Sequence, residues 1–257
     1  MKMKMKYLIL LAVALTVISC GKDPEPDPGT ELPDWNKTRT TTVLVLGRMN
    51  NAPLMQQASS DLEAVSGLIR STVHSVALLS RADVVPGGLF TWNPVVAVGA
   101  SAKRVPLFAL HSYKDEVAEG NGMLIGHTYA RSEMIPVAGG TSLLKVDTRA
   151  NASIPMIFGT VSIDQQSQVT AAAQLVKTHL SDGTVVAGLV NKALAAQWKG
   201  EFAQSQYRFE LVESTAANAS QSIYVVSKSK WVLRAANETT VGSSGISVFN
   251  LQIESLQ

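Results

Sequence analysis

The sequence predicts a single layered domain of the α/β or α+β class, and three observations predict it. Short apolar runs rich in Val, Leu and Ile recur along the chain, bounded by Gly, Pro, Asn and Asp. Two longer stretches carry apolar residues at helical spacing, and each leads into an apolar run. No internal repeat and no second domain interrupt the series.

The first strand is expected at residues 41–45. Ser59 or Ser60 caps a helix with Asp61 and Glu63 in its first turn, where acids suit the helix dipole. Leu62, Val65, Leu68 and Ile69 give that helix its apolar face. A strand follows at residues 74–79, and then Gly87, Gly88 and Pro94 break the chain. Residues 105–110 and 122–125 read as strands. Residues 142–146 and 154–159 read as a strand pair joined by a turn at 149–153. A second helix is expected at 166–180, with Val169, Ala172, Leu175, Val176 and His179 on its apolar face and Asp182-Gly183 ending it. Strands at 184–188, 207–213, 222–226 and 247–253, a short helix at 193–200 and a short strand at 230–233 complete the expectation.

The N-terminus is organised differently. Lys2, Lys4 and Lys6 precede an apolar run from Tyr7 to Ile18, which is short for a bilayer span of about 20 residues. The run ends in Val17-Ile18-Ser19-Cys20. A positive start, a short apolar middle and a small residue before the cut describe a secretory signal. The cysteine directly after Ser19 makes the segment resemble a lipobox. That resemblance implies a signal peptide over 1–19, a mature chain starting at a lipidated Cys20, and a soluble domain held at the membrane by its acyl chains. Residues 20–38 form the expected tether, rich in Pro and acids. Its acids resemble the surface-export signal of Bacteroidetes lipoproteins, which implies the outer membrane and exposure at the cell surface. Residues 39–257 are the expected domain.

Composition narrows the chemistry. Cys20 is the only cysteine, so the domain has no disulfide, thiolate nucleophile or thiolate metal cluster. Lys2, Lys4 and Lys6 account for three of the 22 Lys and Arg, leaving 19 against 20 acids. With no basic tract for a nucleic-acid backbone, no nucleic-acid partner is expected. His74, His111, His127 and His179 share no metal-site spacing, and His179 reads as a satisfied core residue. Asp164 reads as the start of the second helix. No nucleophile elbow is present. Trp92, Tyr113, Tyr129, Trp198 and Trp231 are partly in expected loops and edges, where aromatics bind sugars and proteins.

Several blocks between residues 41 and 254 resemble the endonuclease/exonuclease/phosphatase superfamily. Asp61-Leu62-Glu63-Ala64-Val65 through Leu68-Ile69-Arg70, then Val76-Ala77-Leu78-Leu79-Ser80, resemble its first helix and strand. There the family's metal-binding glutamate falls on Ser80. Gly120-Asn121-Gly122-Met123-Leu124-Ile125 resembles its glycine-asparagine-alanine-isoleucine-leucine strand. In Phe158-Gly159-Thr160-Val161-Ser162 the catalytic histidine falls on Val161. Gly188-Leu189-Val190-Asn191 stands for glycine-aspartate-phenylalanine-asparagine, with Leu189 in place of the aspartate. Ser222 takes another aspartate position, and Ser244-Gly245-Ile246 stands for serine-aspartate-histidine. The family's metal-associated asparagine has no counterpart at residues 46–48.

The resemblance implies an α+β fold: a four-layer α/β/β/α sandwich of two packed mixed β-sheets flanked by helices. It also implies that Ser80, Asn121, Val161, Leu189, Asn191, Ser222, Gly245 and Ile246 mark a degenerate cleft. Hydrolysis in this family needs a hard divalent cation with oxygen ligands, and a base for water. Ser80, Val161, Leu189, Gly245 and Ile246 supply neither. The expectation is a binding or structural lipoprotein without catalytic residues, metal or cofactor. Its expected contacts are the membrane, through the lipid, and a glycan, peptide or envelope protein in the cleft. The alternative is a divergent metal-dependent phosphoesterase or nuclease-like hydrolase with relocated ligands, marked by carboxylates such as Asp83, Asp115 or Glu119. Asn121 reads as a strand or turn brace and Asn191 as a helix cap as readily as ligand groups.

Overall fold

A computed structural model describes residues 40–47, 59–71, 76–79, 82, 93–114, 117–126, 129, 131–148, 156–216, 219–228, 231–243 and 246–255; of residues 40–47, 59, 114 and 255 it describes the backbone alone. The chain divides into two units, Met1–Lys37 and Thr38–Gln257. Cys20, the tether, His74, Ser80, Asp83, Trp92, Asp115, His127 and Gly245 lie outside the described residues. No helix among the described residues is long and apolar enough to cross a membrane.

The elements of the second unit run β1 (Thr40–Gly47), α1 (Ser59–Ser71), β2 (Val76–Leu79), α2 (Pro94–Ala102), β3 (Val105–Lys114), β4 (Val117–Ile125), β5 (Arg131–Val137), β6 (Thr141–Asp147) and β7 (Ile157–Thr160). A single 3₁₀ turn (Gln166–Gln168) leads into α3 (Val169–His179). Then come β8 (Thr184–Asn191), α4 (Lys192–Gly200), β9 (Tyr207–Val212), β10 (Gln221–Lys228), β11 (Trp231–Val241) and β12 (Ile246–Ser255).

These strands build two six-stranded sheets. One is ordered β11-β12-β1-β2-β4-β3 and the other β5-β6-β7-β8-β10-β9. In each, the two middle strands are parallel, β1 with β2 and β7 with β8, and every other pairing is antiparallel. The parallel pairs require crossovers. The helix predicted at 166–180 provides one, and the helix around Asp61–Arg70 lies on the other.

Three buried clusters separate four layers. Val76, Leu78, Met123, Phe249, Leu251 and Ile253 of the first sheet meet Leu144, Val146, Phe158, Val185, Ala187 and Ile223 of the second. Alternation sends the intervening residues outward. Ala77, Leu79, Leu124 and Val248 pack under α1 and α2 through Leu62, Val65, Ile69, Val95 and Val98. Val186, Val190, Tyr224 and Val226 pack under α3 and α4 through Val169, Ala172, Ala173, Val176 and Trp198. This is the expected sandwich of two mixed sheets with helices on both outer faces.

Three elements depart from the sequence expectation. The stretch read as broken at Pro94 is α2, with Asn93 as its N-cap: Asn93 Oδ1 accepts from the amides of Val95 and Val96 at 2.9 and 3.2 Å. Pro94 occupies the first helical turn, where its missing N–H costs nothing. Residues 131–137 form a strand, β5, that was not expected. The short strand expected at 230–233 extends to Val241 as β11, accommodating an irregularity between Leu233 and Ala235.

Candidate functional site

The carboxyl ends of the parallel pairs in the two sheets meet at one end of the sandwich. Leu79, the last residue of β2, pairs with Gly122, so Asn121 of β4 sits just beyond it. Ser162 follows β7. Its Oγ donates to Asn121 Oδ1 at 2.9 Å, and both residues are buried. One neutral hydrogen bond thus joins the two sheets where their parallel strands end. Thr141 at the start of β6 steadies the segment by donating its Oγ1 to Ser162 O at 3.0 Å.

The other sequence-predicted positions divide by face. Leu189 is fully buried in the core between the sheets. Val161 belongs to the cluster beneath α3 and α4, and its carbonyl accepts from Tyr224 Oη at 2.6 Å. Burial holds that tyrosine above the ordinary phenol range, against the opposing effect of the Val161 hydrogen bond. Ile246 packs beneath α1 and α2 with Val248. Ser222 shares the face of Tyr224 and Val226 and donates to Glu213 Oε2 at 2.8 Å. Asn191 caps α4, its Oδ1 accepting from the Ala193 amide at 3.0 Å. Asn121 and Leu189 therefore face the neighbouring sheet, whereas Val161, Ser222 and Ile246 do not.

The residues that take the inter-sheet side are their immediate neighbours. Gln221 is buried and donates its Nε2 to Asp164 Oδ1 at 2.8 Å. Ser247 donates to Glu238 Oε1 at 2.7 Å. Glu238 of β11 also accepts from Ser214 Oγ, the Thr215 amide and Thr215 Oγ1, each at 2.7 Å. Burial alone would raise the Glu238 carboxyl; these donors outweigh it and bring it down to about 2. The carboxylate ties the segment after β9, in one sheet, to β11 and β12 in the other. No residue-type match marks this set in the sequence. Period-two alternation was the available signal, since Phe249, Leu251 and Ile253 fix the face of Ser247.

A second carboxylate organises the approach to Ile246. Asp61, buried in the first turn of α1, accepts from the Ser243 amide at 2.8 Å and from Ser243 Oγ. Gly242 before it has φ +75°, and a Cβ there would lie 2.6 Å from Asp61 Cγ. The turn between β11 and β12 is thereby clasped to α1.

The other described acids and histidines are spread out. Glu213 pairs with Lys192 at 3.6 Å, and Glu119 accepts from Ser112 Oγ at 2.6 Å. His179 is half-buried at the end of α3, outside the core proper, and accepts at Nδ1 from Lys145 Nζ at 3.0 Å. Burial and the Lys145 charge lower its pKa. His111 lies in β3, in the other sheet. Among the described residues, no three His, Cys, Asp or Glu side chains gather where one ion could bind. Mg²⁺ takes carboxylate oxygens in octahedral array. Asn121, Ser162, Gln221 and Leu189 are neutral, and the carboxylates described at this end, Asp164 and Glu238, are each engaged by donors of the chain itself.

The aromatic residues also separate. Tyr113 is 62% exposed, Tyr129 is half-buried against the inter-sheet core, and Trp198 is fully buried. Trp231 is buried and donates its Nε1 to Asp182 O at 2.6 Å.

The same arrangement of sheets and helices recurs in solved structures. The endonuclease/exonuclease/phosphatase from Beutenbergia cavernae is similar at a TM-score of 0.62 and 10% identity, over 85% of this chain and 72% of that one. The fold resembles that of the endonuclease/exonuclease/phosphatase superfamily. A family protein from Leptotrichia buccalis matches at a TM-score of 0.62 and 6% identity, over 83% of this chain and 99% of that one. The endonuclease/exonuclease/phosphatase from Bacteroides vulgatus matches at 0.57 and 11%, over 84% and 99%. No family model matches the chain, and no curated protein does.

Proposed function

We propose that this chain is a lipid-anchored envelope protein whose phosphoesterase-type scaffold binds a ligand without hydrolysing it. The observation that carries the reading is the Asn121–Ser162 hydrogen bond, which closes the ends of both parallel pairs with neutral groups. Leu189 beside it is buried among apolar side chains. Water activation by this scaffold's chemistry calls for a carboxylate-held cation and a base. The carboxylates described here are bound instead to Gln221, Ser222, Lys192, Ser112 and the four Glu238 donors. A glycan, a peptide or another envelope protein is the proposed class of partner.

The likeness to solved structures favours a second reading. Those proteins are named endonuclease/exonuclease/phosphatase, and on that analogy this chain is a divergent metal-dependent phosphoesterase with relocated ligands. Calorimetric titration with Mg²⁺ and Mn²⁺ separates the two readings. The first expects no heat of binding. Micromolar binding that disappears when Glu119, Asp83 or Asp115 is replaced would establish the second.

The anchor is proposed from residues 1–20. Metabolic labelling with a palmitate analogue should mark the chain and leave Cys20→Ser unlabelled. Equal label in both removes the anchor.

A further inference from the structure

A cavity of about 480 Å³ opens beside the last turn of α4, the turn after it and the edge strand β9. It lies away from the end described above: Tyr207 pairs with Lys228, at the opposite end of β10 from Gln221. Its wall holds the rings of Phe202, Tyr207 and Phe209. Phe202 stacks on Phe209 at 5.6 Å and meets Tyr207 edge-on at 5.8 Å. Two fully buried rings stand behind them. Trp198 lies 5.1 Å from Phe202, and Tyr224 lies 6.1 Å from Phe209. A wall held from behind by interlocked rings is preformed.

The rim is polar and carries one sign of charge. Lys199, Gln204 and Ser205 line it, and no carboxylate does. Lys199 is exposed and has no ion-pair partner among the described residues, whereas the nearby Glu201 is already paired with Lys177 at 3.4 Å. The cavity has the size of a small-molecule site, and its chemistry is an aromatic wall with one ammonium group, Lys199, in its lining that is unpaired among the described residues; Lys177 Nζ, 5.5 Å from the centroid of the Phe202 ring, is already paired with Glu201. We propose that it binds a small planar apolar anion, an aromatic ring system bearing a sulfonate or carboxylate. The ring body would lie against Tyr207 and Phe209, with the anionic group at Lys199. This inference is independent of whether the other end of the sandwich hydrolyses anything.

The probe is anilinonaphthalene sulfonate, titrated into the full chain and followed by its blue-shifted emission. Saturable binding at one site per chain is expected. Lys199→Glu should weaken it about tenfold, the scale of one charge-assisted hydrogen bond, while uncharged phenylnaphthylamine binds both proteins equally. Tyr207→Ala should weaken both probes. Lys199 is exposed, and far-ultraviolet circular dichroism of each variant verifies that it has folded. Absence of saturable binding, or an unchanged sulfonate affinity in either variant, overturns the proposal.

Discussion

Replacing Glu238 by Gln should remove the tie between the two sheets at the end where their parallel strands terminate. In the folded chain the carboxyl sits near 2 against an ordinary value of 4.5, because four donors outweigh its burial. A shift of that size, discounted for the solvent that reaches a half-buried group, is worth about 1–2 kcal/mol. The sign follows from the direction of the shift. A carboxyl depressed on folding contributes its full stabilisation above its unfolded pKa and loses it as pH falls toward the folded value. The wild type should therefore exceed Glu238→Gln by about 1–2 kcal/mol at neutral pH. The gap should close between roughly pH 4.5 and pH 2. Urea unfolding of both proteins across that range is the assay. Equal stability at neutral pH, or a gap that persists unchanged to pH 2, would refute the assignment of the shift to these four donors.

Three further perturbations test the frame. Gly242→Ala places a Cβ against Asp61 in a left-handed backbone position and should cost about 1–3 kcal/mol by denaturant unfolding. Tyr224→Phe leaves the Val161 carbonyl without its 2.6 Å donor and should cost about 1–2 kcal/mol, read as a lower thermal midpoint. Asn191→Ala removes the cap of α4 and should cost about 1 kcal/mol, with faster amide exchange confined to the first turn of that helix.

What the residues revealed in advance depended on how each element buries itself. The last strand alternates cleanly, and its two faces end in two different clusters, Phe249 and Leu251 inside and Val248 outside. Helix α3 has a clear apolar stripe for the same reason: one face is covered and the other is wet. Helix α2 resisted recognition because its sequence, PVVAVGASA, is apolar nearly all round and has little helical periodicity to detect. Strand β5 carries Pro136 and charges and has only one sheet neighbour, β6, so its pattern resembles a loop. At the candidate site, alignment by residue type pointed to Val161, Ser222 and Ile246. A shift of one position along a strand reverses the face, so the inter-sheet residues Ser162, Gln221 and Ser247 lay beside every such choice. Glu238 had no motif to announce it, since three of its four donors come from Ser214 and Thr215, 24 and 23 residues away in the segment after β9 of the other sheet, and the fourth from Ser247 across the β11–β12 pairing.

The second sheet is built from one uninterrupted stretch, β5 to β10, whereas the first takes β1 to β4 from the beginning of the domain and β11 and β12 from its end. A chain delivered amino end first therefore holds every strand of the second sheet before the first can close. Until β12 arrives, β1 has a partner on one side only, and the apolar face that Phe249, Leu251 and Ile253 will cover stays open. Native closure of the domain waits for its last ten strand residues, Ile246–Ser255. Termination after Lys228 but before Ile246 leaves a complete second sheet facing an incomplete partner, a species with an exposed strand edge and a sticky inner surface.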